Sequence, residues 1–540
     1  MPKTLVLAVV PLALWMVGCG GAAPVRVYDV QVLVPGGSPF HGVHGLRFDS
    51  TDTLYAASVI GQSLFRVDTA TGEVETFVGP PEGMADDLAI APDGTFVWTA
   101  IEDGIVYAKA PDGPVRRLVE GWKGANAVSF SPDGRRLFVT LVFYADALYE
   151  LDLAGTASPR LILEDLGGLN AFEVADDGMI YGPLVFGGRI VRIDPDAGTM
   201  TTVTDAVQSP GALKLSGDGS AFVLDSTDAG SELKKIDLSN GTVTQVATLP
   251  FGADNLALDS EGRVFVSLSE VNAIAEVDVD TGDVRYVVSP ASLTMPAGLA
   301  VVTGGDGDDL LYVGDGFGGV RLVNGSTGAI ENTPVDIFMP THVSATADRL
   351  VVGGEVLFGP VQRLDRTSFA VLDAWDGFDV LRDALEAPDG SLVVAEHGSG
   401  RLLRVRGPER TDRETIAENL AGPSGLAWAG DAELYVTETT GGRLLRVALT
   451  GGASTVVATG LRQPEGVAVL PDGTVVVVEV AARQVTAIDP ANGARTTIAA
   501  DLPIGIGTGP SLFRGIAASA SALYMTTDIG NAIYKLRPRD

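Results

Sequence analysis

The 540-residue chain contains one cysteine, Cys19, and four histidines. A lone thiol excludes a disulfide framework within the chain and a cysteine-rich zinc site, so the fold must be held by burial and strand pairing. Bases are also scarce: 37 Lys and Arg stand against 69 Asp and Glu, a net charge of −32. Phosphate backbones demand a concentrated positive field, which excludes nucleic acid as an expected partner. Long apolar runs are absent after Val17, and no Gly-x-Ser-x-Gly elbow, His-Glu-x-x-His helix or cysteine cluster occurs.

The single apolar run, Thr4 to Val17, follows Lys3 and leads to Gly18-Cys19-Gly20-Gly21. A basic start, a short apolar stretch and small residues at the cut site describe a secretory signal rather than a membrane span. Residues 1–18 are expected to be a signal peptide and 19–26 a tether lipidated at Cys19, because Met16-Val17-Gly18-Cys19 resembles the cleavage motif of bacterial lipoproteins. The protein is then expected to be exported and lipid-anchored at the bacterial cell envelope, on the outer membrane, the periplasmic face or the cell surface. Its contact with membrane would be through the lipid alone.

What the chain has in abundance is glycine, 67 residues, and a repeated phrase. An apolar strand start, a turn such as Pro-Asp-Gly, a strand of the Leu-Tyr-Val type and a further hairpin recur along the chain. Clear copies are GVHGLRFDSTDTLYAAS from Gly42, NAVSFSPDGRRLFVT from Asn126, DNLALDSEGRVFVS from Asp254 and EGVAVLPDGTVVVVE from Glu465. Period-2 alternation between turn signals indicates strands. The first polar position of successive copies falls at residues 44, 86, 126, 170, 211, 254, 297, 341, 383, 424, 465 and 514. The mean step of about 43 residues is that of four-stranded propeller blades.

The fold class expected is therefore all-β: two tandem six-bladed β-propellers of four-stranded antiparallel blades, residues 27–282 and 283–540, with a seven-plus-five split as the alternative. Residues 27–34 read as a lone outer strand. They are expected to complete the blade starting near Asp254, while residues 283–289 close the second ring against the C-terminal blade. Gly314-Asp-Gly-Phe-Gly-Gly319 matches a dinucleotide fingerprint formally, but it lies between two strands and lacks the helix that receives a pyrophosphate.

At these repeats, and at Ser131-Pro-Asp-Gly134 and the Pro-Asp-Gly turns at 92–94, 388–390 and 471–473, the chain resembles the superfamily of six-bladed propellers that includes gluconolactonase and regucalcin-like proteins, NHL-repeat proteins and virginiamycin B lyases. The resemblance implies a divalent metal at the mouth of an axial channel, held by a Glu of the first blade and by Asn and Asp from later blades. The matching positions here are His44, Asp86, Asn126, Asn170, Gly211 and Asp254. His44 stands where that family has Glu, and Gly211 interrupts the ring. Oxygen ligands suit calcium, and an imidazole shifts preference towards zinc or manganese. The candidate metal set is thus His44, Asp86, Asn126, Asn170 and Asp254.

In the second propeller the same position reads Ala297, Thr341, Asp383, Ser424, Glu465 and Arg514, and acids recur at second-strand ends at Asp315, Glu396, Glu438 and Glu479, with His397 beside one. A second-channel binding set is accordingly Asp383, Glu396, His397, Glu438, Glu465, Glu479 and Arg514, although such carboxylates also suit turn capping. Two functional classes follow. One is a monomeric binding or scaffold lipoprotein for a protein, glycan or small-molecule ligand; the other is a metal-dependent lactonase-like hydrolase or lyase in the first channel.

Overall fold

A computed structural model describes residues 28–250, 252–304, 307–335, 337, 339–354, 360–407, 412–506 and 513–539. The segment expected to be a signal peptide and Cys19 lie outside them. The described chain forms twelve four-stranded antiparallel sheets. Each is a blade whose second strand is mostly apolar, as in Phe96–Ala100, Leu137–Leu141 and Val475–Glu479, every residue of which is buried. Such strands are covered on both faces by neighbouring blades. Fourth strands are half-exposed, as in Thr199–Thr204, and form the rim. The core is correspondingly divided into slabs between blades: Ala89, Val97 and Val106 of blade 2, for example, pack against Phe130, Val139 and Leu141 of blade 3.

The first strands of successive blades contact one another around two axes. Blades 1–6 form one ring, closed by Val43–Phe48 against Ala253–Leu258; blades 7–12 form another, closed by Pro296–Thr303 against the strands from Ile516 and Leu523. The tandem six-bladed architecture is thus set by strand pairing within this chain.

Strand exchange is the reverse of the sequence expectation. Tyr28–Val34 does not complete the blade that starts near Asp254; it pairs with Ala532–Pro538, Tyr28 opposite Pro538 and Val32 opposite Tyr534, as the outermost strand of blade 12. Val284–Val288 stays at home, pairing with Ala273–Val277 as the fourth strand of blade 6. The first ring is therefore consecutive, residues 43–288, whereas the second joins residues 296–538 to the N-terminal strand. The exchange hides the outer edge that Ala532–Pro538 would otherwise present.

Because the N-terminal strand belongs to the second ring, two linkers cross between the rings. Asn272 and Asn531, both fully buried and left-handed (φ 52° and 56°), fasten them. Asn531 Nδ2 donates to the carbonyls of Ser38 (3.1 Å) and Phe40 (2.9 Å). Asn272 Oδ1 accepts the Gly42 amide at 2.8 Å, and its Nδ2 donates to the Thr294 carbonyl at 2.6 Å. His41 is enclosed in the same junction; burial lowers its pKa to about 4, so the ring is neutral, with Nδ1 facing the Pro39 carbonyl.

Candidate functional site

Innermost strands start with a register break that sets the channel chemistry. Val43 opposes Ser58 and Leu46 opposes Ala56, so His44 and Gly45 are left out of the ladder; Asn126–Ala127 and Asp254–Asn255 are released in the same way. The first residue of each break turns to the channel mouth and the second lies one level deeper. A buried hydroxyl on the second strand repairs the ladder. Thr140 Oγ1 accepts the Ala127 amide (3.1 Å), Ser267 Oγ the Asn255 amide (2.9 Å) and Thr437 Oγ1 the Gly425 amide (2.8 Å). Thr99, Thr437 and Thr526 also donate to the mouth-residue carbonyl of the following blade, at Asn126, Glu465 and Ala297. These hydroxyls tie blade to blade at the axis. Their signal in the sequence is a lone Thr or Ser within a largely apolar second strand.

In the first ring this geometry brings His44, Asp86 and Asp254 together. His44 Nδ1 lies 3.4 Å from Asp254 Oδ2 and 3.9 Å from Asp86 Oδ1. Burial alone would lower the His44 pKa, but the Asp254 and Asp86 carboxylates outweigh it and raise it to about 9. Burial raises Asp86 to about 7 against the pull of His44, with Asp254, Asp87 and Glu102 adding to the rise. Asn126 is 3% exposed, and its Oδ1 has no hydrogen-bond partner. Asn170 is partly exposed, and its backbone amide is held by the Pro183 carbonyl. Gly211 leaves a gap in the circle.

Below the mouth, Asp87 accepts the Val128 amide (3.2 Å) and Asn255 Nδ2 (3.3 Å). Deeper still, Glu173 binds Arg47 and, at 3.1 Å, Lys214. These three side chains span the channel between blades 1, 4 and 5, so the cup is approached from the mouth.

The metal expected from the resemblance does not fit this arrangement. Among the described residues no three His, Cys, Asp or Glu side chains are gathered as metal ligands. His44 Nδ1 faces the Asp254 carboxylate at 3.4 Å.

The second-channel set is dispersed. Asp383 is not a mouth residue. Leu381 opposes Glu396 and Asp383 opposes Ala395, so the break here is one residue wide and Arg382 takes the mouth position. Asp383 sits a level deeper, accepting the Ala384 (2.9 Å) and Leu426 (2.8 Å) amides, and burial pushes its carboxyl up to about 7. Glu465 and Arg514 are at the mouth but spent on each other, Nη1 to Oε1 3.2 Å, with Arg514 Nε also 2.9 Å from Asp528.

Glu396, Glu438 and Glu479 cap their own blades. They accept the Asp379 (3.1 Å), Ala421 (2.7 Å) and Arg462 (2.7 Å) amides; Arg401 and Arg443 bind the first two, and Gln484 the third. His397 points Nδ1 to the Pro423 carbonyl, and burial with Arg382 nearby lowers its pKa. Gly314–Gly319 joins two strands of blade 7 through a single 3-10 turn.

Fold and site together define a β-propeller protein whose first ring carries a polar cup and whose second ring has Arg514 paired with Glu465 and Asp528 at the matching level. No family model matches the sequence, and no curated protein matches it. Among solved structures, the chain is similar to a GH74 enzyme of Niastella koreensis (12% identity, 95% of this chain and 99% of that one, TM-score 0.49). It is also similar to the virginiamycin B lyase of Staphylococcus aureus (16% identity, 61% and 95%, TM-score 0.26). A third is the extracellular domain of the putative hybrid two component system BT3049 from B. thetaiotaomicron (10% identity, 95% and 83%, TM-score 0.33). At these values the propeller assignment rests on the chain's own strand pairing.

Proposed function

We propose that this protein is a ligand-binding module of the cell envelope, exported and tethered through Cys19, whose working surface is the mouth of the first ring. The observation that supports this most is Asn126 Oδ1, a buried acceptor without a partner on the same level as the His44, Asp86 and Asp254 cluster. Buried polar atoms are normally bonded, and leaving one unmade costs about 1–3 kcal/mol. A polar ligand at the mouth would supply the missing donor. The plugged floor makes the cup a receptor for one end of a small molecule or for a side chain of a partner.

The test is a thermal-shift series on the full chain in detergent, using amines, neutral sugars, carboxylates and divalent salts. At least one class is expected to raise the unfolding temperature of the native protein while leaving Asp254→Asn unmoved, because a ligand stabilises only the state that binds it. Shifts that are equal in both proteins, or absent from every class, would remove this reading. A shift confined to divalent salts and lost in Asp254→Asn would return the metal site to consideration.

A further inference from the structure

The face that carries the mouth has an aromatic ridge on one side. Phe143, Tyr144 and Phe186 are 61%, 45% and 64% exposed. Phe143 holds a left-handed backbone (φ 68°), a conformation that is strained for a bulky residue and that here turns the ring outwards. Its ring meets Phe186 edge to face, centroids 5.6 Å apart and planes at 82°. The ridge stands directly beside the mouth. A Cβ on Gly124 would meet the Tyr144 side chain at 3.2 Å and one on Gly168 would meet the Phe186 ring at 2.6 Å; these glycines lie two residues before Asn126 and Asn170.

The loops around this face are acidic. Glu82, Glu102, Asp103, Glu120, Asp205 and Asp228 are all exposed on them, against Lys123 and Arg189. Aromatic faces beside carboxylates attract cations through the ring quadrupole, most strongly when the cation is weakly hydrated. The chain itself shows that the ridge accepts one: Lys123 Nζ lies 4.4 Å from the Tyr144 ring centroid and 3.9 Å from Glu102, whose carboxylate also accepts the Tyr144 hydroxyl.

We propose that the first-ring mouth receives an alkylated ammonium group at the Phe143–Phe186 ridge, on the side facing the cup, where two carboxylates, Asp86 and Asp254, stand against the single His44. This rests on the reading of that mouth as a binding surface and adds the chemistry of the ligand. Carboxylates alone would serve a primary amine as well; the exposed rings favour a cation that carries methyl groups.

Choline and its neutral carbon isostere 3,3-dimethyl-1-butanol, titrated calorimetrically into the full chain in detergent, test the proposal. Choline is expected to bind at least about tenfold more tightly than the alcohol. Affinity should fall by about the same factor in Phe143→Leu/Phe186→Leu, which keeps apolar bulk and removes the π faces. Equal binding of the two probes, choline affinity unchanged in the double variant, or no choline binding at all overturns the ammonium assignment. If choline fails while a sugar or carboxylate binds and is lost in Asp254→Asn, the binding mouth stands and only its ligand class is wrong. If no probe responds to Asp254→Asn, both fall.

Discussion

Asn272 and Gly42 are hydrogen-bonded at 2.8 Å although 230 positions separate them. The bond joins the sixth blade to the linker that leads into the first, and the same side chain holds the linker leaving for the seventh. Asn531 grips the incoming linker from the other ring. Two amide side chains thus fix both crossings, and each occupies a left-handed backbone position that Asn tolerates better than most residues. Asn272→Ala and Asn531→Ala are each expected to lower stability by about 1–3 kcal/mol, since each strands buried carbonyls or an amide. Chemical unfolding followed by two probes, one per ring, should show the transitions separating in the double variant.

The junction should also loosen in acid. His41 is held neutral by burial, with its pKa lowered from 6.5 to about 4. A depressed folded-state value contributes stability above pH 6.5 that is lost as pH falls through about 4. Backbone amides from Gly37 to Gly42 are expected to exchange markedly faster at pH 4 than at pH 7. In His41→Phe that pH difference should shrink. Unchanged exchange in the native chain would contradict a buried neutral imidazole.

His44 makes the opposite prediction. Its folded-state pKa is raised to about 9, so the stabilisation from pairing with Asp254 and Asp86 is complete below pH 6.5 and is lost as pH rises through 9. Nuclear magnetic resonance of the imidazole should give a titration near 9, moved towards lower pH in Asp254→Asn. A midpoint near 6.5 in the native chain would show that the cup is not assembled.

Glu173 is the floor of the cup. Replacing it with Gln leaves Arg47 and Lys214 facing each other without their shared carboxylate, and breaking a buried ion pair from one side costs about 3–5 kcal/mol. Glu173→Gln is expected to lower the unfolding temperature, and Lys214→Met in the same chain should recover part of the loss. No recovery would mean that the two cations do not share Glu173.

Much of the architecture is written in local pattern: Pro-Asp-Gly turns recur in several blades and largely apolar second strands throughout, and the period follows. Gly94, for instance, has φ 82° and closes its hairpin with Asp93 Oδ1 accepting the Thr95 amide. The partner of Tyr28–Val34 is not local. Any half-exposed outer strand would match its alternation, and the pairing is decided by geometry some 500 residues away. The site was legible in the first ring because His44, Asp86, Asn126 and Asp254 share one place in the repeat. Asp383 was misplaced by a single residue, because a break of one residue rather than two leaves no trace in residue types. The capping work of Glu438 and Glu479 was visible only as an alternative, since a carboxylate at a strand end looks the same whether it meets an amide or a ligand.

The exchanged strand also imposes an order of assembly. A chain made from its N-terminus completes the first ring from consecutive blades as soon as residue 288 has emerged, with no need of anything that follows. Tyr28–Val34 is made before any of it, yet its hydrogen-bonding partner ends at Pro538. This early strand is therefore the last to be paired, and from the completion of the first ring until Pro538 emerges it is an open edge attached to a finished propeller. Release of the completed C-terminus, rather than growth of either ring, becomes the event that commits the molecule to its final form.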